Sequence, residues 1–581
     1  MRMKWSIKIA LLALLTVCIG VNQLPVPPDT ALAEAQDSAS SERRKALALL
    51  DEIIAGTRTL RLPENRALLQ SEAADLLWSN DERRARALFT EAMDSLRETR
   101  SDGAARGEPE DVGPALTLGS LRRDVLEKVA ARDLLLARDL QRSTSTDNVQ
   151  PDDESQLELR LATAAASSVP QQAYRMAEES LTRGVSQQLP ELLIKLQATD
   201  RDAAAKLMSD IVARLRSENL LDDEEASGIA LRLLQIGSAA PAATNNGASL
   251  SSSLLDQTSA QALMETIVSA ALQDSANSTD LLLALQSQMG IVEQYAPERA
   301  PLVRRKLAVM ARAIAGTQRT SSETPTANEN ESAESLLGIA AKAPAGMRDA
   351  LFEQAARLSL SEGQYTRARQ IVEMMVDAEQ RRELLEDLEH ESLADDAKSG
   401  RVEQTLNSLS ALPTAEERAQ VLISLAKAIT EKGDKVRALE LLKQAREVLS
   451  GRARNFAQLD AQLQLACAFA TLDARTGFEM MDSLIAHINE LASSMLVVDG
   501  FITEDRYARS GELVLSSLTQ FTDTILSENR KEIALATLAH NEFDRTKEAL
   551  DRLERPELRL RAQLFVATSI LTPQPATNLG N

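Results

Sequence analysis

The chain runs to 581 residues, carries a formal net charge of −21, and is 44 % apolar but only 3 % aromatic. So few aromatics argue against a sandwich or barrel, whose strands are built from aromatic and β-branched residues. The acidity argues against partners that present phosphate, whether nucleic acid or an anionic lipid surface.

Arg2, Lys4 and Lys8 precede an apolar run over 9–21. A basic stretch followed by a short apolar one is the pattern of an export signal, and the run falls short of the roughly 20 residues that span a bilayer. Ala31-Leu32-Ala33 places small residues where a signal peptidase reads them. Residues 1–33 are therefore expected to be a signal peptide cleaved after Ala33. The alternative is a lipid anchor at Cys18, where Val17 stands in place of the smaller residue such a signal carries. No later segment reaches transmembrane length without charges. The mature chain is expected to be exported, in a periplasm, with no transmembrane helix. Its one remaining thiol, Cys467, lies in the apolar stretch 463–470 and reads as a small buried hydrophobe.

Beyond the leader the chain is rich in Ala, Leu, Glu, Arg and Gln, all strong helix formers, and no convincing period-2 alternation appears. Breaks rich in Gly, Pro, Ser, Thr or Asn fall at 101–119, 143–154, 237–253 and 316–335. Such stretches bury too little apolar surface to offset their ordering entropy and are expected to be disordered. The chain then divides into an N-terminal helical array (42–236), a linker (237–253), a middle helical segment (254–315), a second linker (316–335), a C-terminal array (336–571) and a tail (572–581).

The clearest internal unit is 419–450. Leu422, Leu425, Ala426 and Ile429 share one face of a first helix, Gly433-Asp434 makes a turn, and Ala438, Leu442 and Ala445 share one face of a second. Small residues at Ala426, Ala438 and Ala445 let two helices approach closely, and the leucines fill the space around them. A related pattern runs through Phe352, Ala356, Gly363, Ala368 and Val372, and another through Ala73, Leu76, Asn80-Asp81, Ala85, Phe89 and Ala92. A looser copy covers 461–484 with Asp473 at its turn, and further copies begin at Gly400-Arg401 and Phe543-Asp544. These two share a trailing phrase: Leu412-Pro413 leads into Glu417-Arg418-Ala419, and Leu553-Glu554-Arg555-Pro556 into 559–563. The small residue recurs at Ala368, Thr405, Ala438 and Gly477, in steps of 37, 33 and 39 residues. Copies are faint over 155–215, where Ala173, Ala177, Ala204 and Met208 suggest them, and none is legible over 255–315.

The order large, large, small, large, then Gly, then small, large, small resembles the tetratricopeptide repeat, a helix–turn–helix of 34 residues. Armadillo or HEAT-like stacking, with longer periods, is the alternative. The resemblance implies an all-α fold: an α-solenoid of stacked antiparallel helix pairs. It also implies a partner groove lined by outer positions of the first helices. Carried over position by position, these are Gln420, Ile423 and Lys427 in the clearest copy, Glu353 and Arg357 in the full copy before it, Gln462 and Phe469 in the one after, and Trp78 in the first. The competing reading is that Ile423, Phe469 and Trp78 cover a neighbouring helix pair, as apolar residues at helical spacing usually do.

Chemistry leaves few traces. His390, His487 and His540 are isolated from any metal-binding spacing, no Gly-rich phosphate loop lies between a strand and a helix, and no nucleophile elbow occurs. Ser424-Leu425-Ala426-Lys427 matches an S-x-x-K pattern but lies inside the clearest helix pair, without that family's partner motifs. No catalytic residue, metal or cofactor is therefore assigned. The expected function is an envelope scaffold or adaptor that binds a protein or peptide. The alternative is a helical-superhelix enzyme, or enzyme subunit, acting on cell-wall or glycan substrates through clustered carboxylates at shifted pKa values.

Overall fold

The computed structural model describes residues 28–572 except for 107–117, 145–150, 218–219, 221–223, 239–254, 256, 274–277, 318–332, 341–344, 362–363, scattered positions within 378–400, 502–506 and 519–533. Residues 1–27 of the expected signal peptide, Cys18, the centres of the four sequence breaks, His390 and the tail beyond Thr572 lie outside the described residues. The expected cleavage site at 31–33 falls within the first turns of the helix that begins at Pro28. At three of the four breaks helices reach in from both sides, and at the break 237–253 the next helix begins only at Gln257. Helices run on to Arg106, Thr144, Ser238 and Thr317 and resume at Leu118, Pro151 and Ala333.

The chain is all-α. Its helices are α1 (Pro28–Thr57), α2 (Pro63–Leu77), α3 (Glu82–Arg106), α4 (Leu118–Arg132), α5 (Leu134–Thr144), α6 (Pro151–Ala165), α7 (Pro170–Leu181), α8 (Leu189–Thr199) and α9 (Arg201–Ser217). Next come α10 (Glu224–Ser238), α11 (Gln257–Ala271), α12 (Ser278–Ser287), α13 (Met289–Tyr295), α14 (Ala300–Thr317), α15 (Ala333–Ala340), α16 (Ala345–Ser361) and α17 (Tyr365–Val372). Then follow α18 (Val402–Ser408), α19 (Ala415–Glu431), α20 (Lys435–Val448), α21 (Phe456–Leu472) and α22 (Ala474–Asp499). A two-stranded hairpin, β1 (Ala508–Arg509) and β2 (Glu512–Leu513), precedes α23 (Ala534–Asn541), α24 (Phe543–Leu550) and α25 (Pro556–Leu571).

One local device recurs along the chain. At many hairpins a residue leaves the helical conformation, its carbonyl accepts an early bond of the next helix, and the donor four residues on is small and buried. The donors are Ala85, Ala137, Ala173, Ala204, Ala300, Ala368, Thr405, Ala438, Gly477 and Thr546. A larger side chain there would hold the two backbones apart. Asp suits the turn position because its carboxylate also caps the new helix. Asp81, Asp133, Asp200, Asp434 and Asp473 accept from the amides of Arg84, Leu136, Ala203, Arg437 and Thr476 at 3.0–3.3 Å. The series includes Ala173 and Ala204, where the pattern was faint. It also includes Ala300, in the middle segment where no repeat was legible.

The turns come in two forms. At Gln364, Arg401 and Asp434 the turn amide reaches back five residues, to Ser359, Asp396 and Ile429. In this wider form a glycine precedes the turn residue, and Gly433 takes φ +91 to end its helix. At Asp133, Asp200, Asp473 and Glu542 the amide reaches back only four, and one residue alone separates the helices. Asp473 serves both helices in this way, at φ −138 and ψ 85. The irregular steps between copies follow from mixing these two turns with helices of unequal length.

The chain forms two units, one of residues 66–451 and one of 1–65 together with 452–581. This division crosses the sequence segments: α1 belongs with the helices after residue 452, not with those of 66–236. In the first unit many helices pack on a hairpin partner and on the helix two along, as in α4 with α6, α6 with α8, α7 with α9, and α9 with α11. The clearest predicted pair, α19 and α20, is its most extensively packed. A capping box starts α19, with Thr414 and Glu417 each bonding the other's backbone amide.

In the second unit α21, α23 and α25 form one layer, while α22 and α24 form the other. Helix α1 completes the second layer as the hairpin partner of α25. Its apolar stripe, Ala46, Leu49, Leu50, Ile53 and Ile54, is at most 2 % exposed. At about 1.5–3 kcal/mol for each large side chain removed from water, the stripe contributes on the order of 10 kcal/mol before ordering entropy is subtracted.

Candidate functional site

The residues assigned to a groove divide by burial. Ile423, 1 % exposed, and Phe469, 2 % exposed, are core side chains and present no surface to a partner. This corrects their assignment as groove-lining residues. Helices α19 and α21 are buried on more than one face, because a first helix inside a stack is covered by its own partner and by neighbours. Glu353 and Arg357 lie one turn apart on α16 and pair at 2.9 Å, with Arg357 exposed. Gln420 and Lys427 on α19, and Gln462 on α21, are half-buried. Trp78 is also half-buried. Its ring lies 6.2 Å from that of Phe89, and the Arg86 guanidinium stands 5.3 Å from its centre. Trp78 thus covers the residues of its own helix pair. Of the predicted set, Arg357 is the member with an exposed side chain.

A different surface stands out in the second unit. At the C-terminal end of α22, Val497 is 64 %, Val498 56 % and Phe501 88 % exposed. Spacings of three and four residues bring these side chains to one side of a helix end. Asp499, between them in sequence, is 3 % exposed and accepts from the amides of Tyr507 and Ala508. The end of α22 therefore grips the β-hairpin with one face and turns an apolar face to solvent with the other. The sequence carried a signal for this: Met495-Leu496-Val497-Val498 with Phe501 is more apolar surface than one buried stripe accommodates. In the other unit Met374 and Val376, after α17, are also exposed.

Three carboxylates, Glu64, Glu512 and Glu557, cluster around the hairpin, and two of them are held by backbone amides. Glu512 Oε2 accepts from the Arg61 amide at 2.6 Å and Oε1 from the Asn65 side chain at 2.8 Å. Glu557, 1 % exposed, accepts from the Leu513 amide at 3.1 Å. Burial pushes the Glu557 carboxyl up, and the nearby charge of Glu512 adds to the effect. Glu64 pairs with Arg509. Glu512 and Glu557 face backbone donors, and Glu64 faces the Arg509 guanidinium. Away from the hairpin, burial also pushes up the carboxyls of Asp124 and Glu127 on α4. Elsewhere the Asp210 carboxylate accepts from the Tyr174 hydroxyl at 2.8 Å, and this bond heads the causes that push the Tyr174 phenol up to about 12.

Among the described residues no group of three or more His, Cys, Asp or Glu is placed to hold a metal ion, and no helix is long and apolar enough to cross a membrane. Cys467 is buried, as its apolar setting implied. Ser424 and Lys427 stand three residues apart on α19, with the buried Leu425 and Ala426 between them. Set against the models of known protein families and against curated proteins, the chain matches none, so the helical-repeat architecture and the surface at the end of α22 rest on its own residues.

Proposed function

We propose that the protein is an exported scaffold of tetratricopeptide-like helix pairs that holds a protein or peptide partner in the cell envelope and carries out no covalent chemistry itself. The observation that supports this most is the apolar surface of Val497, Val498 and Phe501 on an otherwise charged, strongly acidic helical stack. Contiguous exposed apolar side chains rimmed by polar ones mark places where proteins meet. The enzymatic alternative would rest on the carboxyls that burial raises: Glu557, which accepts from the Leu513 amide, and Asp124 and Glu127 on α4, where Glu127 pairs with Arg160 at 3.6 Å.

The test is site-specific photo-crosslinking in intact cells, with the reactive residue at 501 and, as a control, at the exposed position 440 on α20. The expected result is one defined polypeptide attached through 501, absent at 440 and lost when Val497 is changed to Glu. The same adducts at both positions, or none at either, would overturn the proposal.

A further inference from the structure

The second unit is assembled from the two ends of the chain, which has a consequence for when it can fold. Helix α25 follows the same pattern as α21 and α23, and α1 packs along it where a hairpin partner would lie. The fit is close. A Cβ on Gly56 would lie 2.7 Å from the Leu560 side chain, so the two helices meet where α1 carries no side chain. Polar contacts extend the match to the neighbouring helices: Lys45 bonds Asp544 at 2.6 Å, Lys547 pairs with Glu52 at 3.0 Å, and His540 lies 3.7 Å from Glu42.

The residues after α1 are fastened separately. The hairpin turns through Ser510 and Gly511 at φ +54 and +76, the pair of positive values that a two-residue turn requires. This tight hairpin presents Glu512 to the amides of Arg61 and Leu62, and Asn65 bonds Leu513 O at 2.7 Å while accepting from Leu515 N at 3.0 Å. Arg61 also donates to Ser510 O. Residues 40–65 thus form a strap, docked along α25 and buckled to the hairpin.

We propose that this strap closes last: α1 stays undocked until residues 556–571 are available, and the whole second unit becomes stable in that one step. The other hairpins pair segments adjacent in sequence and form early, because little loop-closure entropy opposes them. The strap must instead find a partner that follows the whole of residues 66–451 in the sequence. An undocked α1 leaves its apolar stripe in water, and helices in proteins draw most of their stability from packing such a face. For a chain exported from its N-terminus, a point that rests on the reading above, the segment next to the leader then has no partner until residues 556–571 have been made. The order of folding itself does not depend on that reading.

Pulse-labelling hydrogen exchange during refolding of the full mature chain tests the order. The amides of 419–445 are expected to gain protection first, and those of 46–57 and 558–567 later, with one shared rate. At equilibrium, Leu50→Ala is expected to lower protection over 46–57 and 558–567 alike by a factor of roughly 30 or more, leaving 419–445 unchanged. Separate rates for the two segments, or protection of 46–57 ahead of 419–445, would overturn the proposal. The wild-type kinetics decide the matter even where the variant does not fold.

Discussion

Gly477→Ala sets two physical effects against each other, and the structure says which wins. Gly477 is the small residue of the α21–α22 hairpin, four positions after the single-residue turn at Asp473. In an ordinary helix interior, replacing Gly by Ala gains about 1 kcal/mol, because alanine loses less backbone freedom on folding. Here an added Cβ would stand 2.4 Å from Ala470 N and 2.5 Å from Ala470 Cα. Carbon and nitrogen atoms pack without strain only about 1 Å further apart than this. The obstacle is backbone, so no rotamer change relieves it, and α22 must move off α21 along much of their shared face. Overpacking of this kind costs about 1–3 kcal/mol and occasionally more, and repacking so long a pair places this case at or beyond the upper end. The net effect is a loss of about 2 kcal/mol, which for a unit of this size lowers Tm by roughly 4–8 °C. Thermal unfolding followed by far-UV circular dichroism measures it, with hydrogen exchange of 456–499 locating the change. The contrast is Gly56→Ala, where the new methyl meets only the tip of the Leu560 side chain and Tm should move little. A Gly477→Ala protein that melts at or above the wild-type temperature would refute the claim that this glycine is there for close approach.

Glu557→Gln should stabilise the protein at neutral pH and flatten its acid-side pH dependence. A carboxyl whose folded pKa is raised by burial contributes its stability fully below the unfolded value, near 4.5, and loses it as pH rises through the folded value. An uncharged amide oxygen still accepts from Leu513 N, so melting curves of the two proteins should converge at low pH and separate towards pH 7. Arg559→Ala should cost about 1–2 kcal/mol, because its guanidinium donates to Leu553 O at 2.9 Å and packs over the turn that precedes α25. Denaturant melts read this directly, and no change in midpoint would count against it. Finally, intact-mass analysis of the protein recovered from its native cells should find Glu34 as the first residue, as the expected cleavage after Ala33 requires. Cleavage there leaves the buried stripe of α1, which begins at Ala46, untouched.

The trailing phrase noticed in the sequence has a structural cause. Arg418 donates to Leu412 O and Arg559 to Leu553 O, each across six residues at 2.9 Å. Arg381 does the same to Met375 O at 2.8 Å, a third copy whose flanking letters hid it. The arginine in the first turn of a new helix holds the carbonyl that ends the preceding hairpin. That requirement preserves the spacing and the guanidinium but leaves the residues between them free to vary.

What the sequence determined by itself is everything local. Helix formers at helical spacing, Asp or Gly at the turns and a small residue four positions later decide where each hairpin lies, because these effects act between residues close along the chain. Copies at Ala173, Ala204 and Ala300 were faint or illegible, since the small residue and the turn were kept while the large positions around them drifted. Three matters were left to tertiary structure. Whether an outer-face residue such as Ile423 or Phe469 is groove or core depends on what neighbouring pairs cover, and no period in the sequence records that. A hairpin of two residues per strand is too short to show alternation. The joining of α1 to α25 links segments about 500 residues apart, and amphipathic helices announce that they need a partner without saying which one.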